Sequence, residues 1–366
     1  MLKRRITRIT IKNYRSITDL TVEMPDLMVL VGENGSGKSN FVDALRFLSD
    51  AVRNGIAIAI SKRGGITSIL SKNRKNMQIG IEIELSIDND NYVYGFVLDG
   101  KTPDAYRTTK EYFQKNGQDI LNEGDLGWNN LPQNNTPTLT LTLPLLIDNA
   151  QIRPIYQFLQ EFSFFTITPD NIRDPQMPAN AMSLDENGNN FASILNEIYR
   201  HHKNYRTSIN EYLDVILDIK EFQIRQIGNR YVVNLHHSSQ IFELSQESDG
   251  TIRILAMLTA LHQPHTPSLL MIEEPELFIH PRALAYICSA IDLGSLRQQI
   301  IITTHSLDLI QMFDERNPNV LRIVEKTDDG TQIGILDPYQ RDIINEQIFK
   351  TSDLIRVEGL RRAEHE

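Results

Sequence analysis

One octapeptide constrains this chain more than any other feature: Gly32-Glu33-Asn34-Gly35-Ser36-Gly37-Lys38-Ser39. It matches G-x-x-x-x-G-K-S at every fixed position. The flanks are what such a loop needs. Leu27-Met28-Val29-Leu30-Val31 is apolar throughout, as in a strand buried on both faces. Residues 40–52 carry apolar side chains at helical spacing. Strand, loop and helix in that order turn backbone N–H groups and the positive end of a helix toward one point, which suits phosphate. Lys38 is placed to pair with β- and γ-phosphates and Ser39 to ligate Mg²⁺. Asn34, Gly35, Ser36, Gly37 and Asn40 complete the expected cradle.

Two further strands end in polar clusters. Leu269-Leu270-Met271-Ile272 runs into Glu273-Glu274-Pro275-Glu276. Side chains alternate along a strand, so Glu273 and Glu274 share a direction only if the strand has ended. One carboxylate can hold Mg²⁺ through water while the next polarises the attacking water. After one helical segment, Gln299-Ile300-Ile301-Ile302-Thr303-Thr304 leads into His305-Ser306. That puts His305 at the carboxyl end of a neighbouring strand, where open α/β sheets bind ligands. There it can hydrogen-bond a γ-phosphate or the attacking water.

Composition limits the partners. Lys plus Arg number 37 and Asp plus Glu 47, a net charge of −10, which argues against wholesale wrapping of nucleic acid. A local patch stays open: Lys62, Arg63, Lys72, Arg74 and Lys75 are read as solvated surface, with DNA or RNA phosphates as the alternative. The same applies to Arg356, Arg361 and Arg362. Cys288 is the one cysteine, so no disulfide framework or Cys-rich zinc module is expected, and a cytoplasmic setting fits. The basic N-terminus lacks the apolar run of a signal peptide. No stretch approaches the ~20 apolar residues of a membrane span, so no membrane partner is expected. His201-His202 and His236-His237 are read as exposed helix and hairpin positions rather than metal ligands.

The remaining pattern is two α/β blocks around a middle of different texture. Ile6, Ile9 and Ile11, then Leu20 and Val22, predict two strands around a turn at Lys12-Asn13-Tyr14-Arg15-Ser16. Residues 78–87 and 92–98 predict paired strands, 116–137 irregular loop, 191–199 and 208–217 helices, and 222–235 a hairpin around Gly228-Asn229.

The order of phosphate loop, long insertion, Glu-Glu-Pro-Glu strand and Thr-Thr-His-Ser strand resembles the ABC-type ATPases of the SMC, RecF and OLD group. The opening Ile9-Thr10-Ile11-Lys12-Asn13-Tyr14-Arg15-Ser16-Ile17 is similar to that group's first strand and turn. The chain looks most like its compact AAA-type members of bacterial defence operons. The resemblance covers roughly residues 1–60 and 240–325.

It implies an α/β fold, an ABC-type P-loop ATPase head of mixed sheet and flanking helices with an inserted β/helical lobe. Residues 1–100 would form the first half of the head, 101–240 the lobe, 241–337 the second half and 338–366 a charged tail. It implies an ATPase using ATP and Mg²⁺, slow without a partner because dimerisation completes the site. By the same resemblance Glu273 supports Mg²⁺, Glu274 is the catalytic base, Pro275–Pro281 is the loop at the dimer seam and His305 is the switch histidine.

Glu247-Ser248-Asp249-Gly250-Thr251 sits where the group has its signature Leu-Ser-Gly-Gly-Gln. Ser248 and Gly250 match and would reach the ATP of the other subunit, while Glu247, Asp249 and Thr251 depart. Asp249 puts an acid where a phosphate is expected. An ordinary helix cap at Ser248 or Asp249 is the alternative. Thr168–Arg173 lies where the group's Gln loop is expected but contains no Gln, so no role is carried over.

About sixty residues follow His305, short for a nuclease domain of the OLD kind. The expected partners are therefore a second copy, as a homodimer or higher oligomer, and a separately encoded effector such as a nuclease or toxin of an antiphage system. A RecF- or SMC-like ATPase acting on DNA in repair or chromosome maintenance is the alternative.

Overall fold

The computed structural model describes residues 3–72, 77–102, 105–120, 141, 143–166 and 168–363. They form two compact units, Met1–Phe162 with Asn319–Glu366, and Ser163–Pro318.

In the first unit an antiparallel sheet runs in the order Ile17–Glu23, Arg4–Tyr14, Gln78–Ile87, Asp90–Thr102, Ala105–Lys115, Gln118–Asp119. Its buried rows explain the odd spacing of the first isoleucines. Ile6, Ile9 and Ile11 lie opposite Leu85, Ile83 and Ile81, which alternate regularly. A bulge between Ile6 and Arg8 absorbs the extra residue, so all three isoleucines face the core. The end of this strand and the turn after it use left-handed backbone, at Asn13 and Arg15 respectively.

The strand Leu27–Val31 is buried at all five positions. It pairs in parallel with Leu321–Thr327, which turns back antiparallel into Gly330–Gly334. The helix Lys38–Asn54 follows the phosphate loop. It buries Phe41, Val42, Leu45, Phe47, Leu48 and Val52 along one stripe, as the spacing predicts. Phe47 joins this helix to the antiparallel sheet, with ring centroids 5.6 Å from Tyr14 and 6.4 Å from Phe96. Truncating such a residue costs about 3–5 kcal/mol.

Helices Pro338–Asn345 and Thr351–Val357 order the charged tail. Buried Gln340 ties it together, donating to the Glu358 carboxylate and the Gly359 carbonyl, both at 2.9 Å, and accepting from the Arg361 N–H at 2.8 Å. Arg361 and Arg356 pair with Glu358 and Asp353 at the surface, so this is no free basic patch.

In the second unit Leu269–Glu273 lies beside Gln299–Thr304, with residues 163–165 of the strand Phe162–Phe165 on its other side. The first two run parallel with Glu273 opposite Thr303, and the helix Pro281–Ser295 makes the crossover. The helices Phe191–His201 and Lys203–Leu217 lead into a three-stranded antiparallel sheet of Ile219–Ile227, Arg230–His237 and Ile241–Glu243. The segment read as irregular loop, 116–137, falls mostly outside the described residues. Its start forms the two-residue strand Gln118–Asp119. Among the described residues no helix is long and apolar enough to cross a membrane.

Candidate functional site

The phosphate loop takes its shape from two close approaches. A side chain at Gly32 would meet the Val324 carbonyl oxygen at 2.2 Å, so only glycine lets the loop leave its strand there. Gly37 caps the helix with φ 114°, left-handed backbone that disfavours any other residue. A Cβ there would also sit 2.0 Å from the Thr331 hydroxyl. The first turn holds no acid and the cap uses no side chain, so the positive helix end is left for an anion.

Lys38 is buried and arches back over the loop. Its Nζ donates to the carbonyls of Gly32 at 2.8 Å and Glu33 at 3.0 Å. Asn34, Gly35 and Ser39 are exposed, and the buried Ser36 hydroxyl has no protein partner.

A hydrogen-bond chain then fixes the loop from distant sequence. Thr331 Oγ1 donates to the Ser36 carbonyl at 2.9 Å. That uses its one proton, so the 2.7 Å contact with Ser16 Oγ has Ser16 as donor. Asn40 Nδ2 in turn donates to Ser16 Oγ at 2.6 Å. Beside this chain lies a cleft of about 390 Å³ bounded by Arg15, Ser16, Asn40, Ser71, Lys72 and Lys326.

Within the basic cluster Arg63 is turned inward, while Lys62 and Lys72 are exposed. The Arg63 side chain is 5% exposed, pairs with Asp43 and Asp50 at 3.0 Å each, and lies over the Phe47 ring. Lys62 pairs with Asp50 at 3.0 Å. Asp43 also binds the Tyr14 hydroxyl at 2.6 Å and Arg15 Nε at 2.8 Å. Burial, then the charge of Asp43, pushes the Tyr14 phenol well above its usual range. The reading of Arg63 as solvated surface is therefore corrected: a planar guanidinium between two carboxylates is part of the core. Arg74 and Lys75 lie outside the described residues.

In the second unit the acidic strand stops at Glu273, and Glu274 turns into left-handed backbone with φ 47°. Its N–H bonds the Thr303 carbonyl of the adjacent strand at 2.9 Å. Such backbone costs a non-glycine residue about 1–2 kcal/mol, and held strain of this kind clusters at functional sites. Glu276, given no role in the sequence, organises the neighbouring strand end. Its Oε1 accepts from the Thr304 hydroxyl at 2.7 Å and from the N–H groups of His305 and Ser306 at 3.0 and 3.1 Å. The His305 residue itself remains exposed.

Ser248 caps the helix Asp249–Leu261, accepting from the Thr251 N–H at 3.2 Å. Gly250 packs so near the Pro275–Pro281 segment that a Cβ would lie 2.7 Å from the Phe278 carbonyl oxygen. Phe278 is 69% exposed with φ 61°, under the guanidinium of Arg253. Arg173, from the stretch that offered no Gln, reaches this loop. It donates to the Glu247 carbonyl at 2.7 Å and pairs with Asp249.

The histidine pairs hold ordinary partners. His237 binds Glu247 at 2.7 Å and His202 stacks on Tyr205. Among the described residues no three His, Cys, Asp or Glu side chains gather as a metal cluster. Burial pushes the Cys288 thiol up to about 12.

The model of a family described as "AAA domain, putative AbiEii toxin, Type IV TA system" matches residues 27–311. A search of the curated proteins finds no match. Solved SMC heads share the fold. One, bound to the C-winged helix domain of ScpA, is 14% identical with a TM-score of 0.59, over 92% of this chain and 99% of its own. A Pyrococcus furiosus SMC head with an extended coiled coil, bound to the C-terminal domain of ScpA, is 12% identical with a TM-score of 0.57, over 94% and 99%. A Pyrococcus yayanosii SMC head with a coiled coil and joint is 12% identical with a TM-score of 0.53, over 94% and 100%. At these identities the likeness is one of fold, the mixed α/β head of the ABC type.

Proposed function

The chain belongs to the AAA domain family of the putative AbiEii toxin and type IV toxin–antitoxin description, and from that membership we propose an ATP-gated, Mg²⁺-dependent ATPase that dimerises around ATP. The observation that carries this reading is the arched Lys38 over a glycine cradle whose helix end bears no acid. Its residues fit a triphosphate. The unpartnered Ser36 hydroxyl and the first-turn N–H groups offer donors, and Lys38 Nζ can exchange two carbonyls for phosphate oxygens. The cleft beside Ser16 and Asn40 suits the nucleoside end.

Ser39 and Glu273 would hold Mg²⁺, which would draw off negative charge from the phosphate oxygens. Such a site needs few protein ligands, because Mg²⁺ keeps waters and phosphate oxygens around it. Glu274 orients and deprotonates the attacking water, and His305 hydrogen-bonds the γ-phosphate. Ser248 and Gly250 present the helix start to the ATP of a second copy. Turnover by the monomer is slow in this account.

The second half of the proposal is an effector encoded separately, a nuclease or toxin, whose activity depends on the nucleotide state. The family's description names a toxin–antitoxin system, and two of the similar SMC heads were solved with a ScpA domain bound. A DNA-repair role gains less support, since Arg63 and Lys62 of the basic cluster already face carboxylates.

Calorimetry with Mg²⁺ and ATP tests the first half. Binding is expected, with Lys38→Ala weaker by roughly tenfold or more. Equal binding by that variant contradicts the site. Co-purification with neighbouring gene products, with and without ATP, tests the second half.

A further inference from the structure

The structure places a charge where the proposed dimer can least accommodate one, and places its counter-charge beside it. Asp249 is the first residue of the helix Asp249–Leu261, immediately after the Ser248 cap, and its side chain is 52% exposed. An acid at a helix start is favourable by itself. It is unfavourable when the same N–H groups must meet a polyphosphate, because like charges then approach in a partly desolvated space.

Arg173 answers this charge. Its Nη2 pairs with the Asp249 carboxylate. It is no loosely held surface arginine, because Nη1 donates to the Glu247 carbonyl at 2.7 Å and reaches the Ser245 carbonyl at 3.4 Å. The planar fork is thus seated on the carbonyls of the short turn that precedes the helix, with its remaining edge toward the acid. Glu247, the other acid of the loop, is occupied by His237 at 2.7 Å. The exposed negative charge at this helix start is therefore that of Asp249.

We propose that Arg173 is a positioning residue that masks Asp249, so that Ser248 and the helix N–H groups present an uncharged, donor-rich surface to the nucleotide of a second copy. This rests on the reading above, in which the Ser248 loop meets the ATP of the other subunit. Without Arg173 the carboxylate faces the triphosphate and opposes closure.

The test is a double-mutant cycle in the Glu274→Gln background, with Mg²⁺–ATP and sedimentation velocity as the readout. Arg173→Ala is expected to weaken the ATP-dependent dimer by roughly tenfold or more, and less so at high salt. Adding Asp249→Gly to Arg173→Ala is expected to restore the dimer to about that of Asp249→Gly alone. Arg173→Lys, which keeps the charge and loses the fork, is expected to lose less than Arg173→Ala.

A merely structural arginine behaves differently. The carbonyls of Glu247 and Ser245 are unheld in both Arg173→Ala proteins, so the double variant stays as weak as the single one, and that result overturns the proposal. So does an Arg173→Ala protein that dimerises like its parent, or a lysine variant as defective as the alanine one. A parent that binds ATP without dimerising overturns the underlying reading and this inference with it.

Discussion

Glu276 accepts the backbone N–H of His305 at 3.0 Å, which ties the turn after the acidic strand to the end of the next strand. The same oxygen takes the Thr304 hydroxyl and the Ser306 N–H. A carboxylate bond to an N–H contributes about 1.5–3 kcal/mol. Glu276→Ala is therefore expected to lower turnover by roughly tenfold or more while ATP still binds. Glu276→Gln keeps an accepting oxygen and should retain most of the activity. Steady-state ATPase assays beside binding measurements check this. A fully active alanine variant contradicts the positioning role.

Glu274→Gln removes the proposed base and leaves Glu273. Mg²⁺–ATP binding is expected to persist while turnover falls by about a hundredfold or more, the scale of general-base loss. Single-turnover hydrolysis decides it. A wild-type rate in this variant would place the base elsewhere.

The two glycine constraints of the phosphate loop should separate in unfolding experiments. Gly32→Ala drives a Cβ to 2.2 Å from a backbone carbonyl, so relief requires the strand Leu321–Thr327 to shift. A loss of about 2–4 kcal/mol is expected, the scale of overpacking with backbone strain. At Gly35 a Cβ meets nothing within 4 Å, and only the φ of 79° resists. Gly35→Ala should cost about 1 kcal/mol. Urea denaturation of both variants checks the order, and equal losses contradict the packing argument.

Arg63→Ala leaves Asp43 and Asp50 without their shared cation. Asp43 keeps Arg15 and Asp50 keeps Lys62, so destabilisation of about 1.5–3 kcal/mol is expected, the scale of a lost hydrogen bond to a charged group. Thermal melts test it. A stable variant that binds DNA less tightly would return Arg63 to the nucleic-acid reading.

What the sequence made legible was local. Leu27–Val31, the glycines and the stripe from Phe41 to Val52 each declare strand, loop and helix within a few residues, because periodicity and backbone permissiveness act at short range. Alternation leaves open whether the strand ends between Glu273 and Glu274, and the structure ends it at Glu273. Contacts closed by the tertiary fold were silent. Thr331 reaches the Ser36 carbonyl across 295 residues, and Arg173 reaches Asp249 across 76. Neither carries a pattern of its own. Arg63 misled because a run of charges looks alike whether it meets water or two carboxylates. The sequence around Ser248 fits a cap and a ligand loop alike, and in the fold its hydroxyl accepts from the Thr251 N–H as a cap does.

The central claim is that ATP joins two copies of this chain. Sedimentation velocity of the Glu274→Gln protein, with and without Mg²⁺–ATP, measures it directly. The expected result is a monomer that becomes a dimer on adding Mg²⁺–ATP, with the shift abolished by Lys38→Ala. A sedimentation coefficient that ATP leaves unchanged, in protein shown to bind the nucleotide, would contradict the account.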